Sequence, residues 1–189
     1  ERENAQMALN ATIGLIKTKL PAYVGANEMD IQVLTPMRNG ILGVNSLNPG
    51  LQMYMNPPDK NKNEKEIAGV VFREGDKVMQ INNLTNYIEV KFDDDRYVTY
   101  DSKQAEELEL AYAVTIHKSQ GSEYPAVVMP LVSGASMLMT RNLLYTGVTR
   151  AKKCVCIVGR KETFNAMVKN EDQHKRYSGL KWQLINYYQ

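Results

Sequence analysis

The sequence predicts an α/β fold: a parallel sheet with helices on both faces, interrupted by a small all-β insertion. Two observations point to the sheet. The strings AVVM at 126–129 and CVCIV at 154–158 are apolar without alternation, as strands buried on both faces are. QVLT, ending at residue 35, has the same character. A third observation points to the insertion. Between residues 65 and 104 the chain changes to short strands parted by turn residues.

Each element follows from its pattern. Over residues 2–20, Ala5, Ala8, Leu9, Thr12, Ile13, Ile16 and Leu20 share one face at helical spacing, and Pro21 is expected to stop the helix. A short strand over 31–35 should end at Pro36. Residues 40–56 read as a loop and a short helix opened by Asn48-Pro49-Gly50, and the polar string PPDKNKNEKE at 57–66 reads as a linker. Strands are expected near 70–72, 77–81, 88–92 and 97–100, with Asp93-Asp94-Asp95 as a hairpin tip rather than a metal site. The acidic stretch 105–110 reads as helical. Strands then follow at 112–116, 126–130 and 153–158, with helices at 137–148 and 162–169. The α/β domain thus comprises residues 1–64 and 105–189, and the insertion 65–104.

Composition removes several classes. With 43% apolar and 23% charged residues, the chain is neither disordered nor fibrous. No apolar run is long enough to span a bilayer, and the first twenty residues are an amphipathic helix rather than a signal peptide. Cys154 and Cys156 alternate on one strand, where bridging is poor, so free thiols in a reducing cytosol are expected. No cysteine and histidine spacing suggests a metal. A net charge of +2 does not argue for nucleic acid. Arg150, Lys152, Lys153, Arg160 and Lys161 form a local basic cluster that could equally be a solvated face.

Three stretches carry chemistry. In AVTIHKSQGSEY, residues 113–124, a strand ends in a loop holding Thr115, His117, Lys118, Ser119, Gln120, Gly121 and Glu123. Ligands of open α/β sheets bind outside the C-terminal strand ends, where this loop is expected. Any one of these residues alone is more often structural, and their concentration raises the functional reading. In NLLYTGVTRAKK, residues 142–153, a helix ends in Thr149-Arg150 before a strand. Arg150 could pair with the helix C-terminal dipole. Alternatively, its fork of donors suits the charge on a transferring γ-phosphoryl group. The third stretch, QVLTPMRNG at 32–40, places Arg38 after a strand at what is expected to be the same rim.

In this order, these stretches resemble motifs IV, V and VI of superfamily 1 helicases of the RecD and TraA type. The resemblance extends over nearly the whole chain, including the GDKVMQ strand. It implies that the α/β part is a second RecA-like domain and the insertion an SH3-like module. It implies that Arg150 and Arg38 reach the γ-phosphate of ATP and that Glu123 lies near the nucleotide sugar. It also implies that Thr115, His117, Lys118 and Ser119 lie near a single strand of DNA. Gln120 and Gly121 are placed with the nucleotide set.

The implied activity is ATP-driven translocation on single-stranded DNA, 5′ to 3′, opening duplex junctions in repair, recombination or conjugation, alone or within a nuclease–helicase complex. A non-catalytic binding or scaffolding domain, or an RNA helicase, are the alternatives. No G-x-x-x-x-G-K-[ST] loop and no Walker B acidic pair occur in the chain. ATP and Mg²⁺ are therefore expected to be held mainly by an N-terminal RecA-like domain missing from this chain, leaving the chain inactive alone. Between Gln80 and Glu89 the family carries a longer excursion with an Asn-Gly-Asp turn. The four strands counted there fall short of a closed barrel, which implies residues missing from the chain or a trimmed module.

Overall fold

The computed structural model describes residues 2–80, 89–91, 96–99, 108–132, 138–171 and 187. The aspartate hairpin tip and the link from 81 to 88 lie outside the described residues.

Helix α1 (Arg2–Gly14) runs into a π turn at Leu15–Lys19 and then α2 (Leu20–Val24). The helical path therefore passes Pro21 instead of stopping there. The π turn gives Leu20 an N–H bond to the Leu15 carbonyl, and Pro21 enters at the start of a fresh turn, where its missing N–H costs little. Gly25, at φ 65°, ends α2. Strand β1 (Gln32–Thr35) follows, then α3 (Val44–Met55). Pro49 lies inside α3 rather than before it. Neighbouring Asn48 is buried there and bonds the Ala113 N–H at 2.7 Å and the Leu110 carbonyl at 2.6 Å, so tertiary contacts hold the helix across its proline.

Next come β2 (Glu64–Ile67), β3 (Val70–Arg73), β4 (Val78–Gln80), β5 (Glu89–Lys91), β6 (Tyr97–Thr99) and β7 (Leu108–Leu110). Strand β2 takes the end of the string expected to be a linker, because it pairs antiparallel with β3. Strand β7 occupies the end of the stretch expected to be helical. Its pairing with β4, Met79 opposite Glu109, overrides local helix propensity. Among the described residues these strands form three two-stranded antiparallel pairs. Then follow β8 (Ala113–Thr115), a 3-10 turn at His117–Ser119, β9 (Tyr124–Leu131), α4 (Arg141–Val148), β10 (Ala151–Gly159) and α5 (Lys161–Lys169).

The central sheet has the order β10-β9-β1-β8, and its three pairings are all parallel. Alternate strand residues face opposite layers. Val33, Ala113 and Val128 pack with Ile13, Ile16, Leu47 and Leu51 of the N-terminal helices. Leu34, Val114 and Val127 pack with Leu143, Leu144 and Met167 on the other face. Burial on both faces explains the unbroken apolar runs of β1 and β9. By contrast β10, an outer strand among the described residues, is only half-buried and exposes Ile157, which corrects the expectation for residues 154–158. This is the α/β, RecA-like arrangement.

The β2–β3 hairpin is tied to that domain through Asp76. Its carboxylate accepts from Gln52 Nε2 at 2.6 Å, Asn56 Nδ2 at 2.7 Å, the Arg73 backbone N–H at 2.6 Å and the Tyr112 hydroxyl at 2.8 Å. Burial first, then the hydrogen bond to Asp76 and its charge, push the Tyr112 phenol well above its ordinary range, so it stays a donor.

Candidate functional site

Because the sheet is parallel, residues that follow β1 and β8 lie at one rim, and residues that precede β9 and β10 lie at the other. Val33 pairs with both Ala113 and Val128, which sets Thr35 and Thr115 level with Pro130. Tyr124 begins β9 six residues earlier in the same strand, about 20 Å away along the sheet. The loop of residues 116–123 spans that height. Its first half belongs to the C-terminal rim and its second half to the N-terminal rim.

The geometry thus corrects the expectation of two arginines at one rim. Arg38 follows β1, whereas Arg150 immediately precedes β10. The register therefore sets these two positions at opposite ends of the parallel sheet.

At the C-terminal rim, Pro36, Met37, Arg38, Asn39, Thr115, His117 and Leu138 line an open groove of about 410 Å³. The Arg38 loop is held by α3: Val44 N–H donates to the Met37 carbonyl at 3.1 Å and Asn45 N–H to the Arg38 carbonyl at 3.0 Å. A Cβ at Gly43 would sit 2.5 Å from the Arg38 carbonyl oxygen, so this close turn requires glycine. Thr35 Oγ1 donates to the Leu42 carbonyl at 2.7 Å and closes the same loop. The 3-10 turn after β8 exposes His117 and partly buries Lys118.

Sequence reasoning missed the residue that joins Arg38 to Lys118. Glu109 of β7 forms an ion pair with the Arg38 guanidinium and accepts from Lys118 Nζ at 2.9 Å. Burial alone pushes this carboxyl up, but hydrogen bonds and charge from Arg38 and Lys118 outweigh it and hold it below its ordinary value. The signal was present in the alternation Leu108-Glu109-Leu110, which fits a half-buried strand.

Ser119 does not belong with the exposed set. It is fully buried, and its hydroxyl donates to the Ile116 carbonyl at 2.7 Å. That leaves no surface for a strand to touch, which corrects its placement among the DNA-facing residues. Gln120 and Gly121 are exposed midway along the crossover. Gly121 has φ 87°, a conformation that side chains strain, and the chain turns there toward the second rim.

At the N-terminal rim, the half-buried Arg150 donates from Nη1 to the Ser122 carbonyl at 3.1 Å and from Nε to the Thr146 carbonyl at 3.3 Å. Nη2 donates to Thr149 Oγ1 at 3.3 Å. The Arg150 carbonyl accepts from the Tyr124 N–H at 2.8 Å. Glu123 is exposed and meets Lys152 Nζ at 3.3 Å. The helix-end reading of Arg150 is thus partly met by Thr146, yet its other donors point to the crossover loop and to Thr149. Helix α4 carries this arginine close against the sheet. A Cβ at Gly147 would lie 2.9 Å from Met129 Cε.

Cys154 and Cys156 are free thiols with their sulfurs 3.9 Å apart. Among the described residues no group of three or more His, Cys, Asp or Glu side chains could hold a metal ion, and no helix is long and apolar enough to cross a membrane.

Comparison with known proteins gives a consistent picture. Residues 110–158 match the UvrD-like helicase C-terminal domain. Over 139 residues the chain is 35% identical to the ATP-dependent RecD2 DNA helicase of Deinococcus radiodurans, covering 65% of this chain and 19% of that protein. It is 42% identical over 86 residues to the RecBCD enzyme subunit RecD of Mycolicibacterium smegmatis, covering 46% of this chain and 15% of that one. With RecD of Haemophilus influenzae it shares 30% identity over 161 residues, 79% of this chain and 24% of that one. The chain therefore spans under a quarter of the length of these relatives. The match falls on both motif stretches, from the end of β7 through β10, and with the likeness to RecD2 and RecD it supports a C-terminal fragment of a RecD-type helicase.

Proposed function

We propose that this chain is the second motor domain of an ATP-dependent DNA helicase, with a nucleotide-facing edge at Arg150 and Glu123 and a strand-facing groove at Arg38, Thr115 and His117, with Lys118 beside it. One observation carries the reading: a single crossover, residues 116–123, begins at the groove and ends in the hydrogen bond from Arg150 to Ser122. A shift of the arginine toward a phosphate releases the Ser122 carbonyl, and with it a segment whose other end lines the groove. That is the linkage a motor needs between hydrolysis and grip.

The N-terminal rim fits a nucleotide held by a second domain. It presents a half-buried guanidinium with long bonds, beside an exposed carboxylate and ammonium. ATP supplies the γ-phosphoryl group whose charge the Arg150 fork stabilises. The Mg²⁺ that accompanies ATP is assigned to the other domain. Arg38 is assigned to the strand, because it opens on the groove with His117 and lies a sheet height from Arg150. Translocation 5′ to 3′ and a role in repair, recombination or conjugation, alone or with a nuclease complex, complete the reading. They rest on the motif resemblance to RecD- and TraA-type helicases.

The test is single-strand-stimulated ATP hydrolysis by the intact protein. His117→Ala should raise the DNA concentration that gives half-maximal stimulation, with the KM for ATP unchanged. Absence of any stimulation by single-stranded DNA would remove the motor reading and favour a scaffold; stimulation by RNA alone would replace the substrate.

A further inference from the structure

Two cations and one carboxylate meet beside the groove, and each comes from a different element. Arg38 stands on the loop after β1, Lys118 on the 3-10 turn after β8, and Glu109 on β7. The carboxylate has a fixed origin, because Glu109 is paired with Met79 across the β4–β7 ladder. Its side chain is 23% exposed, close to the 28% of Lys118, whereas Arg38 is 47% exposed and is the charge that opens most to solvent. The three charges sum to +1. One further monoanion neutralises the cluster, and Arg38 already lines the groove with Thr115 and His117. Half-exposed ion pairs contribute little to folding, so stability gives a weak reason for the arrangement. The chemistry suits a phosphodiester, which matches the planar fork of arginine and the point charge of lysine.

We propose that Glu109 is a positioning residue that keeps Arg38 and Lys118 assembled as a phosphate-binding pair, and that a backbone phosphate of a single strand engages them by displacing the carboxylate. The inference rests on the strand-facing reading of the groove. Glu109 acts as a built-in competitor: it holds the two long side chains in place when the groove is empty and lowers the affinity of the pair for phosphate. A motor that must release its strand at every step benefits from a grip weakened in this way.

The experiment is fluorescence anisotropy of labelled oligo-dT with the 189-residue chain across a salt series. Glu109→Gln removes the competing charge and should tighten binding at low salt by about fivefold, the effect of one unit charge at contact distance in water. The slope of log affinity against log salt should steepen by about 0.7 for each cation set free. Glu109→Asp, one methylene shorter, cannot span both partners and should take an intermediate slope. It provides an independent measurement if the glutamine variant folds poorly. Unchanged or weaker binding with the original slope, in the folded variants, overturns the proposal. Arg38→Ala and Lys118→Ala separate the two levels. If they weaken binding while Glu109→Gln fails to tighten it, the groove reading stands and the role of Glu109 falls. If neither alanine variant changes binding, the groove is not the strand path and both fall.

Discussion

The guanidinium of Arg150 donates to the Ser122 carbonyl at 3.1 Å, so the arginine at the end of α4 is bonded to the loop that crosses the sheet to Lys118. Its acceptors are all neutral, and on the proposed reading a phosphate outcompetes them because hydrogen bonds to an ionised partner are stronger.

Replacing Arg150 should therefore affect turnover far more than folding. If the proposed motor reading holds, Arg150→Ala in the intact protein is expected to lower kcat by about 10³-fold or more. Arg150→Lys keeps the charge but loses the planar fork, and should also be severely impaired. The helix-end role through Thr146 predicts instead a stability loss of at most about 1 kcal/mol with near-normal turnover. Steady-state ATPase assays beside thermal melts of both variants distinguish the outcomes, and normal kcat in either variant removes the finger assignment.

Asp76 is the joint between the β2–β3 hairpin and the α/β domain. Asp76→Ala leaves donors of Gln52, Asn56, Arg73 and Tyr112 without this acceptor, and should cost about 3–5 kcal/mol. Tyr112→Phe removes only one donor from the same acceptor and should cost about 1 kcal/mol. Urea unfolding of the two variants checks the ranking; equal losses would mean that the network does not centre on Asp76.

The Glu109 cluster makes a pH prediction whose sign is set by its neighbours. Its carboxyl lies below its ordinary value, because Arg38 and Lys118 outweigh the opposing effect of burial. A depressed carboxyl contributes stability above its unfolded value, and loses it as pH falls through the folded one. The difference in melting temperature between the natural chain and Glu109→Gln should stay flat from neutral to mildly acid pH. It should disappear only in strong acid. A difference that disappears near neutrality would mean that the carboxyl is not held down by its two cations.

The sequence by itself determined the parallel-sheet class, eight of the ten described strands in outline and the three motif stretches. Those features are written in local patterns: unbroken apolar runs such as 126–129, and polar residues crowded at one strand end. Local pattern also misled at the places where partners decide the structure. Residues 108–110 carry helix-forming glutamate and leucine, yet the ladder with β4 makes them a strand, and that strand delivers Glu109 to Arg38 and Lys118. Pro49 reads as a helix opener until Asn48 is seen bonding Ala113 and Leu110. Only the tertiary structure decided which motif residues share a rim. Thr115 and Glu123 are close in sequence, but a chain that leaves one parallel strand and enters another must first return the length of the sheet. Strand order and register, set by packing between residues far apart in the chain, therefore placed Arg38 with His117 and Arg150 with Ser122.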